Sequence, residues 1–389
     1  MQGLYGPFTI AERVVQKIWL RSDFDTRELR LQDGRKLAVL RPGAWNLMAG
    51  PDFRGARLMV DGREITGDVE VHFHATDWRA HGHATDRAYD NVVLHVVMFP
   101  PSDARAVARS HQGEPLPTLV LLPLLNRGLE EYASDDALEN ITARDTAEKI
   151  AELSLLPPLE LSALLRRVAR ERWDQKVRFA SLRINKLGWT AAAHHTALEI
   201  LGYRHNRAPM LAVAGRQPLE TWGRSLDIDR VYQESYASWQ TQGTRPANHP
   251  RRRLQQYAAW VGACPGWPER WRAMGSAWIP VEPEGESARA SSNLSSRREE
   301  VFHHLLHHAL GGSRLDNLVC DGLLPLLSAD AGRDLWTYWF HWYLGDAPTE
   351  VRKALGMLRI TDKSGLVQSH GWAQGLLGWI VERDVRAST

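Results

Sequence analysis

Cysteine is almost missing from this chain: Cys264 and Cys320 are the only two, far apart and outside any CxxC spacing. That excludes a disulfide-stapled scaffold and a cysteine-built structural zinc site, and it fits a reducing, cytoplasmic setting. Runs of about eighteen apolar residues are lacking too, so no membrane span is expected. Met1–Phe8 shows no charged stretch followed by an apolar one, so no secretion signal is expected. Nor does one sign of charge dominate. The 48 Lys and Arg stand against 46 Asp and Glu, a formal net charge of +2. Such a balance does not by itself point to nucleic acid, and any basic surface must come from local clusters.

The 389 residues suffice for two or three domains, each with its own core. With 43% hydrophobic and 24% charged residues, the composition is that of an ordinary globular protein. The 16 tryptophans are an excess, and most lie after residue 180. Large aromatic anchors in a helical core account for them better than base stacking does.

Acids and imidazoles concentrate in three stretches: Gly50-Pro51-Asp52-Phe53, Gly67 to His74, and Asp90 to Val97. The middle stretch alternates with period two, as a strand with one buried face does. Val69, Val71 and Phe73 are predicted to face a core, and Asp68, Glu70, His72 and His74 the other side. Four titratable groups in a row add nothing to a structural strand, so that face is a candidate site.

Around these stretches the pattern is that of an α+β protein. Thr9-Ile10-Ala11-Glu12 reads as a capping box opening a helix to about Arg21, with Ile10, Val14 and Ile18 on one face. Strands are expected at Glu28–Leu31, Lys36–Leu40, Arg57–Val60, Glu64–His74, Val92–Met98 and Thr118–Leu122, with turns at Asp33-Gly34 and Asp61-Gly62. Residues 1–130 thus form an α/β domain with a mixed sheet. All-helical regions follow at 131–280 and 301–389, joined by a Glu-, Ser- and Pro-rich linker or exposed loop at 281–300. Helices are expected at Leu159–Leu182, Trp189–Leu201, Leu254–Gly262, Glu299–Leu310, Arg333–Leu344 and Gln374–Val381.

The blocks Gly50–Phe53, Gly67–His72, Asp77-Trp78, His81-Gly82-His83, Tyr89–Val97 and Arg245–Pro250 closely resemble a bacterial family known as domain of unknown function 2851, along the whole chain. The first third also distantly resembles the PD-(D/E)xK nuclease fold, by its order of helix, strand, Pro-Asp, strand and acid-x-Lys. Asp52 matches that motif's aspartate and Glu70 its second acid. The chain departs from it at His72, where the superfamily has lysine.

That resemblance implies a divalent ion held by Asp52 and Glu70, with Asp68 or the carbonyl of Val71 in addition. Two carboxylates and a carbonyl suit Mg²⁺ or Mn²⁺, which would orient water against a phosphodiester. His72 would then act as base or hold the water, since imidazole titrates near neutrality. Glu12 is a candidate further acid from the first helix, although the capping box with Thr9 is the favoured account of it. A second candidate cluster is His74, His81, His83 and Asp86, which would bind zinc or manganese. His95, inside an apolar run, reads as a hydrogen-bonded core histidine. For contact with DNA or RNA the best basic groups are Arg251, Arg252 and Arg253, in a loop after Asn248-His249-Pro250. The arginine-rich run 166–183 is interspersed with acids and reads equally as a salt-bridged face.

Three functions follow as expectations: a metal-dependent, nuclease-like enzyme acting on nucleic acid; a non-catalytic binding or scaffold protein derived from one; and a His/Asp metallohydrolase of a small substrate. The sequence leaves the oligomeric state open.

Overall fold

A computed structural model describes residues 11–387, except 47, 102–106, 127–128, 130–131, 134–135, 137–142, 204–205, 223–225, 236–238, 242–245, 281–288, 290, 348 and 361–368. The chain forms two compact units, Met1–Ala133 and Ser134–Ala387. The first is built on a mixed sheet and the second is helical, so the fold is α+β.

The first unit opens with α1 (Glu12–Leu20), which buries Val14, Val15, Ile18 and Trp19 along one stripe. Its N-cap is Ala11, which has no side chain to cap with, so Glu12 is not half of a described capping box. Thr9 lies outside the described residues. Six strands follow: β1 (Leu37–Arg41), β2 (Ala44–Trp45), β3 (Phe53–Val60), β4 (Arg63–His72), β5 (Val92–Val97) and β6 (Thr118–Val120). The order across the sheet is β1-β3-β4-β5-β6, with β2 beside β3. The strand expected at Glu28–Leu31 is reduced to one bridge, Arg30 to Lys36.

β3 and β4 are antiparallel around Asp61-Gly62, whose φ angles of 46° and 81° are both left-handed. That backbone matches the strand twist of a two-residue hairpin, and Asp-Gly tolerates it. β5 and β6 run parallel to β4 and β5 respectively. Parallel neighbours need a crossover, so residues 73–91 must leave the end of β4 and return to the start of β5. Val69, Val71, Leu94 and Val96 pack with Phe53, Trp19 and the rest of the α1 stripe in one core. A smaller cluster gathers Trp78 of the crossover with Val92, Ala108 and Leu116.

In the helical unit the long helix is Pro158–Leu187, and Trp189–Leu201 forms as expected. Glu299–Leu310 was expected as one helix, but Leu294–Glu300 is α-helical and Val301–Leu305 is a π-helical turn. A second π-turn spans Val319–Leu323. Such turns displace carbonyls from regular pairing. Here tryptophans satisfy them: Trp260 Nε1 donates to Leu305 O at 2.8 Å, Trp271 Nε1 to Leu323 O at 2.9 Å, and Trp339 Nε1 to Cys320 O at 2.9 Å. These three tryptophans are therefore core material with a polar task. The same contacts show that the segments before and after residues 281–300 share one core. Of the expected linker, residues 281–288 and 290 lie outside the described residues. Among the described residues no helix is long and apolar enough to cross a membrane.

Candidate metal and acid-base site

β4 carries out the alternation in its sequence. Val69 and Val71 are buried in the α1 core, while Glu70 and His72 are buried on the other face. Register then adds a neighbour. Glu70 pairs with His95 of β5, and residues side by side in a sheet point the same way. The crossover covers this face. It starts with α2 (Asp77–Ala80), whose Trp78 ring lies 5.4 Å from the His95 ring and 5.3 Å from the His83 ring. Gly82, at φ 78°, reverses the backbone between His81 and His83, so both imidazoles come back over β4.

Three imidazoles meet there: one ring nitrogen from each of His72, His81 and His83 lies within 4.8 Å of the others. His72 Nε2 is 3.1 Å from His81 Nδ1 and 3.5 Å from Glu70 Oε1, and His83 Nε2 is 3.1 Å from the same carboxylate oxygen. The His83–Glu70 approach lacks hydrogen-bond geometry, so His83 Nε2 is buried with no hydrogen-bond partner among the described residues. Tetrahedral ligands about 2.0–2.1 Å from an ion stand roughly 3.3 Å apart. The His72–His81, His72–Glu70 and His83–Glu70 separations lie near that spacing, and the three imidazole nitrogens as a set lie within 4.8 Å.

Electrostatics suits the same donors. Burial, and then His95, His83 and His81, push the His72 imidazole down to about 2; burial and His83 push His95 down to about 3. Both rings are thus neutral at ordinary pH, which is the metal-binding form. His72 Nδ1 and His95 Nε2 lie 2.9 Å apart. If His72 offers Nε2 to an ion, its Nδ1–H donates to His95, which fixes tautomer and ring orientation. Tyr89 stacks on His83 at 3.8 Å, and burial and then Glu70 push its phenol up to about 12.

Beside the imidazoles lies a pair of acids. The Asp52 N–H donates to Glu70 Oε2 at 2.9 Å, and the Val71 N–H donates to Asp52 Oδ2 at 3.1 Å. Gln16 of α1 donates to Asp52 Oδ1 at 2.8 Å. Burial, and then the negative charge of Glu70, raise the Asp52 carboxyl to about 7 despite those hydrogen bonds. Glu12, one helical turn before Gln16, is also raised to about 7, by burial and then by Asp52, Glu70 and Asp77. Two carboxyls titrating near neutrality beside neutral imidazoles are a candidate acid-base pair.

The two clusters expected from the sequence are therefore one, with Glu70 between them. Asp52, Glu70, His72, His81 and His83 come together. Three expected members do not join: Asp68 accepts from the Gly55 N–H at 3.0 Å, the His74 ring stacks on Phe99 at 5.2 Å, and Asp86 accepts from the Ala88 N–H at 2.9 Å. Gln16, Tyr89 and Trp78 were not anticipated; the only available signal for Gln16 was its place one turn after Glu12. In the helical unit Arg251 pairs with Asp229 through two contacts of 2.7 Å, Arg252 is exposed and Arg253 is buried.

No curated protein and no solved structure matches the chain. A family model described as protein of unknown function (DUF2851) matches residues 12–231, which is more than half of the chain and includes Glu12, Gln16, Asp52, Glu70 and all four histidines of the site. The chain belongs to that family.

Proposed function

We propose that the chain is a metal-dependent hydrolase acting on phosphodiester bonds of nucleic acid. The observation that carries the reading is the gathering of one ring nitrogen each from His72, His81 and His83 within 4.8 Å, with His72 and His83 also against the Glu70 carboxylate. Such a donor set suits Zn²⁺ or Mn²⁺, the two ions expected at the histidine cluster; Mg²⁺ prefers oxygen ligands. The ion would polarise a phosphoryl oxygen and lower the pKa of a bound water. Asp52 would take the proton from that water, because its carboxyl already titrates near neutrality. Glu12 would return a proton to the leaving oxygen. Support for the phosphodiester comes from the order of parts: a first helix bearing an acid, then Pro51-Asp52, then Glu70 on the next strand. His72 stands in the lysine position of that layout and serves here as a ligand.

The test uses full-length protein stripped with chelator and reloaded with Zn²⁺, Mn²⁺ or Mg²⁺. Cleavage of labelled DNA and RNA oligonucleotides and of an activated phosphodiester is followed, with an activated carboxylic ester as the alternative substrate. Zn²⁺ or Mn²⁺ should restore cleavage of the phosphodiesters, and Glu70→Gln and His83→Ala should abolish it. Unchanged cleavage in both variants would sink the assignment. Hydrolysis of the carboxylic ester alone would overturn the substrate class, and tight metal binding without any turnover would leave a metal-binding scaffold.

A further inference from the structure

Arg253 is 6% exposed, in the first turn of the helix Pro250–Ala263, and Arg314 is 5% exposed, in the helix Gly312–Leu318. Among the described residues Arg253 donates only to neutral amides: Nη1 to Gln256 Oε1 at 2.8 Å and Nη2 to Asn248 Oδ1 at 2.6 Å. Arg314 shares the same Asn248 oxygen at 3.2 Å and pairs with Asp346, while its guanidinium lies 4.8 Å over the Tyr203 ring. Two buried guanidiniums thus have one contacting carboxylate between them among the described residues, and Asp346 is itself about a third exposed. The Nε–H groups of both arginines are buried and donate to no acceptor among the described residues.

Buried charges are ordinarily paired, and leaving one unpaired is strongly unfavourable. The imbalance is felt by the group itself: burial, then Arg314 and Arg252, push the Arg253 guanidinium down to about 10. An arginine fork is shaped to hold two oxygens of a tetrahedral anion. Arg252, next in the chain, is exposed.

We propose that Arg253 and Arg314, arranged around Asn248, form a phosphate-binding site in the helical unit. The site takes the phosphate group of a small phosphate ester or of a nucleic-acid backbone, the chemistry being the same. It is independent of the hydrolase reading, since its residues share none with the metal site.

The experiment measures thermal melting and calorimetric binding of the full chain, kept in chelator so that the metal site takes no part. Inorganic phosphate, a mononucleotide and a short single-stranded oligonucleotide are compared with chloride at equal ionic strength. Wild type should gain several degrees with phosphate and bind it saturably. Preference for the mononucleotide identifies a small ester as the source, and preference for the oligonucleotide identifies a backbone. Arg253→Met should lose the phosphate increment and melt, in chloride, no lower than wild type, because it removes an unpaired buried charge. Arg253→Lys keeps the charge without the fork and should weaken binding about tenfold or more. The proposal is overturned if none of the three anions binds wild type, if Arg253→Met keeps the increment, or, should that variant not fold, if Arg253→Lys binds as tightly as wild type.

Discussion

The main-chain N–H of Asp52 donates to Glu70 Oε2 at 2.9 Å, while Glu70 Oε1 lies 3.1 Å from His83 Nε2. One carboxylate therefore faces an acid on one side and an imidazole cluster on the other. That position makes the charge of Glu70 felt at Asp52 and Glu12, and it supplies the first prediction.

Glu12→Gln should stabilise the metal-free protein at high pH and not at low pH. The carboxyl titrates at about 7 in the fold against 4.5 for an ordinary glutamate, so the folded state holds its proton more tightly. The stability this gives is complete below about pH 4.5 and is lost as pH rises through about 7. Above that range the ionised, crowded Glu12 costs on the order of 1–2 kcal/mol after allowing for its partial exposure. Thermal melts of wild type and Glu12→Gln in chelator should converge near pH 4 and separate at pH 8, with the variant higher. A constant difference across that range would refute the raised pKa.

His95→Phe should weaken metal binding while leaving the fold intact. Its Nε2, 2.9 Å from His72 Nδ1, orients His72, and His95 is not one of the three histidines that gather as candidate ligands. Loss of such a supporting partner typically lowers metal affinity about 10–100-fold. Competition of Zn²⁺ against a chromophoric chelator measures this directly. Affinity equal to wild type, with an unchanged melting curve, would show that His95 is only core filling.

Trp260→Phe should destabilise the helical unit by about 1–3 kcal/mol, the usual cost of leaving a buried acceptor unpaired. The ring is fully buried and its N–H serves Leu305 O in the first π-turn. Urea midpoints followed by far-ultraviolet circular dichroism give the difference, and an unchanged midpoint would mean that the π-turn carbonyl needs no indole.

Much of the architecture was legible because it is local. Alternation from Glu64 to His72 reports which side chains share a strand face, and Asp61-Gly62 reports a hairpin from its backbone tolerance alone. The stripe Val14, Val15, Ile18 and Trp19 likewise follows from helical spacing. Glu12 was harder to place. Thr9 and Glu12 have the spacing of a cap, and only the approach of α1 to Asp52 and Glu70 gives the acid another partner.

The sequence alone determined that this chain is α+β and that its family blocks center on β4 and β5, and it singled out Asp52, Glu70 and His72 as candidates for one site. Tertiary structure decided which histidines complete that site. Parallel pairing of β4 with β5 forces residues 73–91 into a crossover, and Trp78 packs it against His95 so that His81 folds back onto His72 and His83 onto Glu70 while His74 turns to Phe99. It also took Arg253 out of an expected solvent-facing basic cluster and buried it beside Arg314, 61 residues later in sequence. Periodicity records which face a residue occupies; the path of a crossover and the partners of a buried charge depend on contacts between distant segments.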